Sequence, residues 1–220
     1  MTAGHDVILY SVPTVPLHVV DHPIAQDLLL SLRDRTTPND TFRQLAHRLS
    51  LVLTLEATRD LATRPETVET PVATAPGLRI ATEVVVVPVL RAGLGMLDAV
   101  LGLLPRARVG HIGLQRDEET AVASKYYAKF PVGLADARVL VIDPMLATGG
   151  SAVFALDLLH EAGARDVRLL CIVAAPEGLR TVEAAYPDVH VYTPVVDAQL
   201  NARKFIVPGL GDFGDRLYGT

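Results

Sequence analysis

The sequence holds a single cysteine, Cys171, inside the apolar run Leu169–Val173. No internal disulfide can form, and that setting reads as a small buried hydrophobe rather than a reactive thiol. Tryptophan is absent, with five phenylalanines and six tyrosines, and the formal net charge is −5. That poverty of aromatics and of positive charge argues against a broad nucleic-acid face or a membrane-surface face. No apolar stretch reaches the roughly 18 residues that a membrane span needs. The N-terminus lacks a basic-then-apolar signal pattern, so a cytoplasmic location is expected. The seven histidines form no HExxH pair or other tight metal-ligand spacing, and no metal held by protein ligands is expected. No GxxxxGK[ST] string occurs, which removes a P-loop ATPase.

What is present is core-forming material. Half of the 220 residues are hydrophobic and a fifth are charged, enough for one domain spanning 1–220. Residues 1–20 read as an extended segment. An N-terminal helical segment over about 22–62 contains two helices, near 24–35 and 40–62, the second capped by Asn39 or Asp40. From residue 83 short β-branched runs appear: Val84–Val87, Val139–Ile142 and Leu169–Val173. Unalternating runs of this kind suit strands buried on both faces. Helical segments near 93–104, 150–162 and 177–185 fall between or after them. The alternation predicts an α/β fold, a doubly wound, mainly parallel sheet flanked by helices. Ligands of such sheets bind beyond the carboxyl ends of the strands.

The run Val139–Ile142 leads into Asp143, Pro144, Met145, Leu146, Ala147, Thr148, Gly149, Gly150 and Ser151, and a helix follows. Backbone N–H groups at a helix start are unpaired and lie at its positive dipole end, which makes them an anion cradle. The glycines permit close approach, Thr148 and Ser151 add hydroxyl donors, and Asp143 can reach ribose hydroxyls or a magnesium water. The plain alternative is an ordinary strand–turn–helix with capping hydroxyls. On the phosphate reading, Gly149→Val blocks the anion without unfolding the chain.

Two arginines follow strands on the same presumed edge. Arg91 sits in Pro88–Met96 beside small residues, and Arg116 follows the apolar run Val109–Leu114. Either guanidinium can clamp a pyrophosphate, or form a surface ion pair. The acidic stretch Asp117–Thr120 reads as solvated and mobile. Ser124–Pro131 continues a β-arm over about 115–132, an aromatic-rich element suited to a dimer contact or to a hairpin packed on its own domain.

In the C-terminal tail, Gly209, Gly211 and Gly214 spell GxGxxG, but only six residues follow Gly214, too few for the helix and strand of a dinucleotide site. The useful content is a glycine-rich loop that can read a planar base through main-chain groups. Otherwise it is a tail tied down by Asp212 and Asp215 pairing with Arg216.

The 143–151 passage resembles the 5-phosphoribosyl-1-pyrophosphate (PRPP) signature of type I phosphoribosyltransferases. Asp143-Pro144 stands where many members carry two acids, a departure similar to the uracil branch. With Glu56–Leu61, Gly110–Leu114, Ala174–Gly178 and the tail, the likeness to uracil phosphoribosyltransferases covers nearly all of residues 22–220. Gln115 replaces an expected tyrosine, Leu55 a common aromatic and Phe213 a common alanine. The resemblance implies the type I fold with a C-terminal base-binding hood, and an enzyme that makes UMP and pyrophosphate from uracil and PRPP. It implies PRPP contacts from Arg91, Arg116, residues 143–151 and Asp212, with Arg91, Arg116, Asp143 and Asp212 catalytic. It implies uracil contacts from Ile206, Gly211, Asp212 and Phe213, with base choice surviving Phe213→Ala because main chain does the reading. It further implies Mg2+ held mainly through PRPP, GTP as an effector, and a homodimer or higher homo-oligomer with no nucleic-acid partner. Two alternatives stay open at this point, a phosphoribosyltransferase for another base and an RNA-binding regulator built on the same fold.

Overall fold

A computed structural model describes residues 16–116 and 123–220. In chain order the elements are β1 Leu17–Val19, α1 Pro23–Arg33, α2 Asn39–Ala57, β2 Thr63–Glu69, β3 Thr74–Ile80, β4 Glu83–Leu90 and α3 Leu94–Leu103. They continue with β5 Arg108–Val109, β6 His111–Arg116, β7 Ala123–Lys129, a 3-10 turn Leu134–Asp136, β8 Ala137–Ile142, β9 Met145–Leu146 and α4 Gly150–Glu161. The chain ends with β10 Asp166–Leu170, β11 Val173–Ala174, α5 Pro176–Ala185, β12 His190–Thr193, β13 Gln199–Leu200, β14 Ile206–Val207 and α6 Phe213–Tyr218.

The main sheet runs β1-β12-β10-β8-β4-β6-β7, with β5 also on β4. All its pairings are parallel except β6 with β7. This is the doubly wound sheet that the β-branched runs predict. Successive side chains of a strand point to opposite faces. Val84, Val86, Leu140 and Ile142 pack with α1, α2, α3 and the C-terminal tail. Val85, Val87, Val139 and Val141 pack with α4 and α5. Val85, Val86 and Val87 are wholly buried, each contributing about 1.5–3 kcal/mol. Burial on both faces is why these strands show no polar alternation.

The helix boundaries differ from the sequence pattern in instructive places. The second helix ends at Ala57, not near residue 62, and Pro38 occupies its N-cap without a side-chain bond. Asn39 instead donates to the Arg216 carbonyl at 2.9 Å. Past the end of α2, Asp60 turns back to Arg138 and Arg168, at 2.7 Å each, a pull that helical continuation would break. The run Leu169–Val173 divides into β10 and β11. The hairpin β2–β3 was not visible as strands, because Pro65 and Pro76 interrupt it and its faces are mostly exposed. Proline is tolerated there because both strands are edges. The expected β-arm exists as β6–β7, with a register shift between Gly113 and Leu114. The acidic stretch Asp117–Thr120 and residues 1–15 lie outside the described residues.

Candidate active site

Strands β4 and β8 are parallel neighbours with Pro88 opposite Ile142. Arg91 and Asp143 therefore leave the sheet from one edge, at the carboxyl ends of both strands. Strand β6 runs beside β4 with Leu90 opposite Gly113, and carries the Arg116 backbone three residues further, paired with Ala123. The edge thus gathers segment 91–93, segment 143–151 and the backbone of Arg116. Arg91 is exposed, and the Leu90–Arg91 peptide is cis.

The 143–151 turn is stitched to the segment before α5. Ile172 and Val173 donate to the Pro144 carbonyl at 2.9 and 3.1 Å, and Ala175 donates to that of Leu146 at 2.8 Å. Gly149 is the N-cap of α4 with φ 85°, makes no side-chain cap bond, and no acidic residue stands in the helix's first turn. No carboxylate in that turn competes with an incoming anion for the positive end of the helix. A Cβ on Gly149 would lie 2.6 Å from Thr181 Cβ and 2.8 Å from the Gly178 carbonyl, whereas one on Gly150 would meet nothing nearer than Thr148 Oγ1 at 3.8 Å. Gly149 therefore leaves room for α5, which packs where its Cβ would stand. The expectation that Gly149→Val blocks the anion on an intact fold is corrected: exposed Gly150 is the position facing open space.

The tail is anchored at both ends of this edge. Leu200 N donates to Glu177 Oε1 at 3.1 Å, hanging hairpin β13–β14 on the first turn of α5. At the other end Tyr218 Oη donates to the Arg91 carbonyl at 3.1 Å. Residues 206–212 bridge between the phosphate turn's neighbour and the Arg91 loop. Ile206 is buried, Gly211 and Asp212 are exposed, and Asp212 Oδ1 accepts from Asp215 N at 2.9 Å as the N-cap of α6.

In the tail, the packing of Phe213 leaves main-chain reading possible, whereas the Arg216 pairing and the loop ending are corrected. Phe213 is 1% exposed and lies edge-on to Phe42, ring centroids 5.1 Å apart. Its side chain belongs to the core, leaving only its backbone for a base contact. The Arg216 side chain pairs with neither the Asp212 nor the Asp215 carboxylate; its backbone N–H donates to the Asp212 carbonyl at 3.1 Å. Its guanidinium donates to the carbonyls of Leu32, Leu210 and Asp34, the last at 2.6 Å, and stacks over Phe42 at 4.5 Å. The tail also ends in a short helix, α6, where a loop was expected.

The sequence reading missed Arg33 and Asp197, which form a bidentate pair at 2.6 and 2.9 Å and both grip Gly209. Their separation along the chain, 164 residues, leaves no local signal. Cys171 is buried beyond the β10 tip, and that burial pushes its thiol up to about 12, which keeps it from acting as a nucleophile. Among the described residues no group of three or more His, Cys, Asp or Glu could hold a metal ion. Asp143 is a single carboxylate at the turn, a donor set suited to a hard cation carried largely by substrate phosphates.

A sequence model of the family described as "Uracil phosphoribosyltransferase" matches residues 19–220. The uracil phosphoribosyltransferase of Symbiobacterium thermophilum is 49% identical over 203 residues, covering 92% of this chain and 97% of that protein. That of Staphylococcus aureus is 46% identical over 205 residues, covering 93% and 98%. The solved structure of the AQ2163 protein from Aquifex aeolicus superposes with a TM-score of 0.88 at 35% identity, covering 93% of this chain and 98% of that one. A hypoxanthine-guanine phosphoribosyltransferase from Bacillus anthracis shares the fold alone, with a TM-score of 0.51 at 13% identity over 72% of this chain and 80% of that one. Length, identity and topology agree, and this chain belongs to the uracil phosphoribosyltransferase family.

Proposed function

We propose that this protein transfers the 5-phosphoribosyl group of PRPP to N1 of uracil, giving UMP and pyrophosphate in pyrimidine salvage. The observation that carries the reading is the α4 N-terminus at the β8 tip. It has no capping side chain and no acid in its first turn, and the tail spans the same edge. In this reading segment 143–151 holds the 5′-phosphate and ribose. Arg91 and Arg116 take the pyrophosphate, and the main chain of Ile206 and Gly211–Phe213 reads the base.

The anomeric C–O bond to pyrophosphate breaks with oxocarbenium character, the bond from N1 to the anomeric carbon forms, and the N1 proton passes to solvent water. No strong nucleophile is required. Alignment lowers the entropic part of the barrier, and the two guanidinium groups stabilise charge developing on the leaving group. Asp143 would hold magnesium through water, and that ion supplies charge neutralisation on pyrophosphate when bound. Asp212 spends one carboxylate oxygen on capping α6. Its remaining carboxylate oxygen is the group assigned to PRPP.

A homodimer or higher homo-oligomer fits the exposed apolar surface of two hairpins: Val68, Val72 and Leu78 on β2–β3, and Tyr126 and Tyr127 on β7. The family resemblance is what supports GTP as an effector. No helix among the described residues is long and apolar enough to cross a membrane, which is compatible with the cytoplasmic location proposed. The deciding experiment is a base panel with PRPP and magnesium, followed by nucleotide monophosphate release. UMP formation from uracil, with little product from cytosine, hypoxanthine or guanine, is expected. Equal use of a purine would overturn the assignment.

A further inference from the structure

The base-reading part of the tail must hold its backbone groups in fixed places, yet residues 206–212 carry little regular structure. They open with the two-residue strand β14, and α6 follows. What fixes them is concentrated at Gly209. Its N–H donates to Asp197 Oδ2 at 2.8 Å, and its carbonyl accepts from Arg33 NH1 at 2.8 Å. The same guanidinium closes on the carboxylate, NH1 to Oδ2 at 2.9 Å and NH2 to Oδ1 at 2.6 Å. One ion pair thus holds both polar groups of a single residue.

The pair is itself well seated. The Asp197 side chain is 4% exposed and that of Arg33 20%. Asp197 N donates to the Ala174 carbonyl at 2.8 Å, tying it to β11, beside the phosphate turn. Arg33 is the last residue of α1. Gly209 has φ 58°, and a Cβ there would stand 2.2 Å from the Ile206 carbonyl oxygen. The chain is therefore folded hard back onto Ile206 and held there from both sides. Gly211 lies two residues further on.

We propose that the Arg33–Asp197 pair positions the base-reading backbone, so that discrimination between uracil and cytosine depends on it. The inference rests on the proposed base-reading role of Ile206 and Gly211–Phe213. Arg33 and Asp197 touch neither substrate in this assignment; they act through Gly209. Backbone recognition tolerates little displacement, because a 1 Å misplacement remote from the chemistry can cost about 10²-fold. Sites of this kind need placement within roughly 0.5 Å. Lysine at position 33 keeps the positive charge beside Asp197 but loses the planar fork that reaches Asp197 and Gly209 together.

The test compares Arg33→Lys, Arg33→Met and Asp197→Glu with the unchanged enzyme. It measures KM for uracil and for PRPP, the ratio of kcat/KM for uracil to that for cytosine, and Tm. In Arg33→Lys the uracil KM is expected to rise roughly tenfold and the uracil-to-cytosine ratio to fall by a similar factor, with the PRPP KM within about twofold. Arg33→Met, where it folds, should show the larger loss, and Arg33→Lys should recover part of it. A purely structural pair would lower Tm in Arg33→Lys and Asp197→Glu and leave the base ratio and the uracil KM unmoved; that result overturns the proposal. An unchanged enzyme that uses cytosine as well as uracil would sink the base-reading assignment itself, and the positioning role with it.

Discussion

At the scale of single residues, the glycines of the proposed phosphate turn separate a packing role from a proposed binding role. Gly149 needs its positive φ and leaves no room for a Cβ beneath α5, while Gly150 is exposed beside open space. Gly149→Val should lower Tm sharply and soluble yield with it. Gly150→Val should keep the fold and weaken PRPP binding by about tenfold or more, since a branched side chain obstructs anion approach to the helix start. Calorimetric PRPP titration beside thermal melts separates the two, and unchanged PRPP affinity in Gly150→Val would remove the turn from the site. Arg116 is tested through turnover. Arg116→Ala should cut kcat by about 10²–10³-fold, the scale for one preorganised charge-stabilising donor, with far less effect on uracil binding. Full turnover would end its assignment to pyrophosphate. The turn was legible because its signal is local, a buried run followed by small residues and a helix start. The Arg33–Asp197 pair was not, because each residue alone reads as an ordinary surface charge.

At the scale of elements, the tail combines a readable composition with an unreadable context. Its glycines suggested accessible backbone, which the fold provides at Gly211 and not at buried Gly209 and Gly214, and the tail crosses the proposed substrate edge. Nothing in the string showed that Phe213 packs on Phe42 or that Arg216 fastens the tail to the end of α1. Those contacts join residues more than 170 positions apart, so only tertiary packing defines them. The expectation that Phe213→Ala keeps base choice concerns the main chain alone and says nothing of stability. Emptying that buried site should cost about 3–5 kcal/mol of stability, read as a large fall in Tm, while the uracil preference of the folded fraction persists. Gly211 has φ 85° and is exposed. Proline fixes φ near −65° and removes the N–H, so Gly211→Pro should abolish uracil use and, because it cannot adopt the native φ, also lower Tm. Wild-type kcat/KM for uracil in Gly211→Pro would refute main-chain reading. Hairpin β2–β3 escaped notice for a different reason. Its strands bury neither face in the core, so the alternation that identifies a half-buried strand never formed.

At the scale of the whole molecule, the proposed substrate edge lies at the carboxyl ends of the strands and a separate charged network fastens the opposite half. Arg168, its side chain only 5% exposed, donates to Asp60 at 2.7 and 2.8 Å, to Tyr192 Oη at 2.9 Å and to the Ala57 carbonyl at 2.8 Å. Arg138 joins Asp60 and Asp166. The network ties the end of α2 to the first residues of β8 and β10, and His18 on edge strand β1 stacks on Tyr192 at 4.3 Å. His18 Nε2 also lies 2.9 Å from His190 Nδ1. Burial, then the neighbouring His190 and Arg168, hold His18 below its ordinary value of 6.5, against an opposing pull from Asp60. The unfolded chain therefore takes up this proton first. The resulting stability is complete above pH 6.5 and declines as pH falls through that value. Asp60 behaves likewise at lower pH. Hydrogen bonds from Arg168 bring its carboxyl from 3.8 down to about 2, so its contribution is full above 3.8 and fades as pH falls toward 2. Melts between pH 8 and pH 2 should show Tm falling in two stages. His18→Phe, which keeps a ring to stack on Tyr192 but cannot titrate, should flatten the first stage and spare the second. Asp60→Asn should lower Tm at neutral pH, where the charged pairing with Arg168 and Arg138 is complete, and shrink the acid stage. Neither substitution touches the proposed substrate edge, so kcat/KM for uracil at neutral pH should stay within about twofold for any variant that remains folded. An undiminished first stage in His18→Phe would assign that proton to another group.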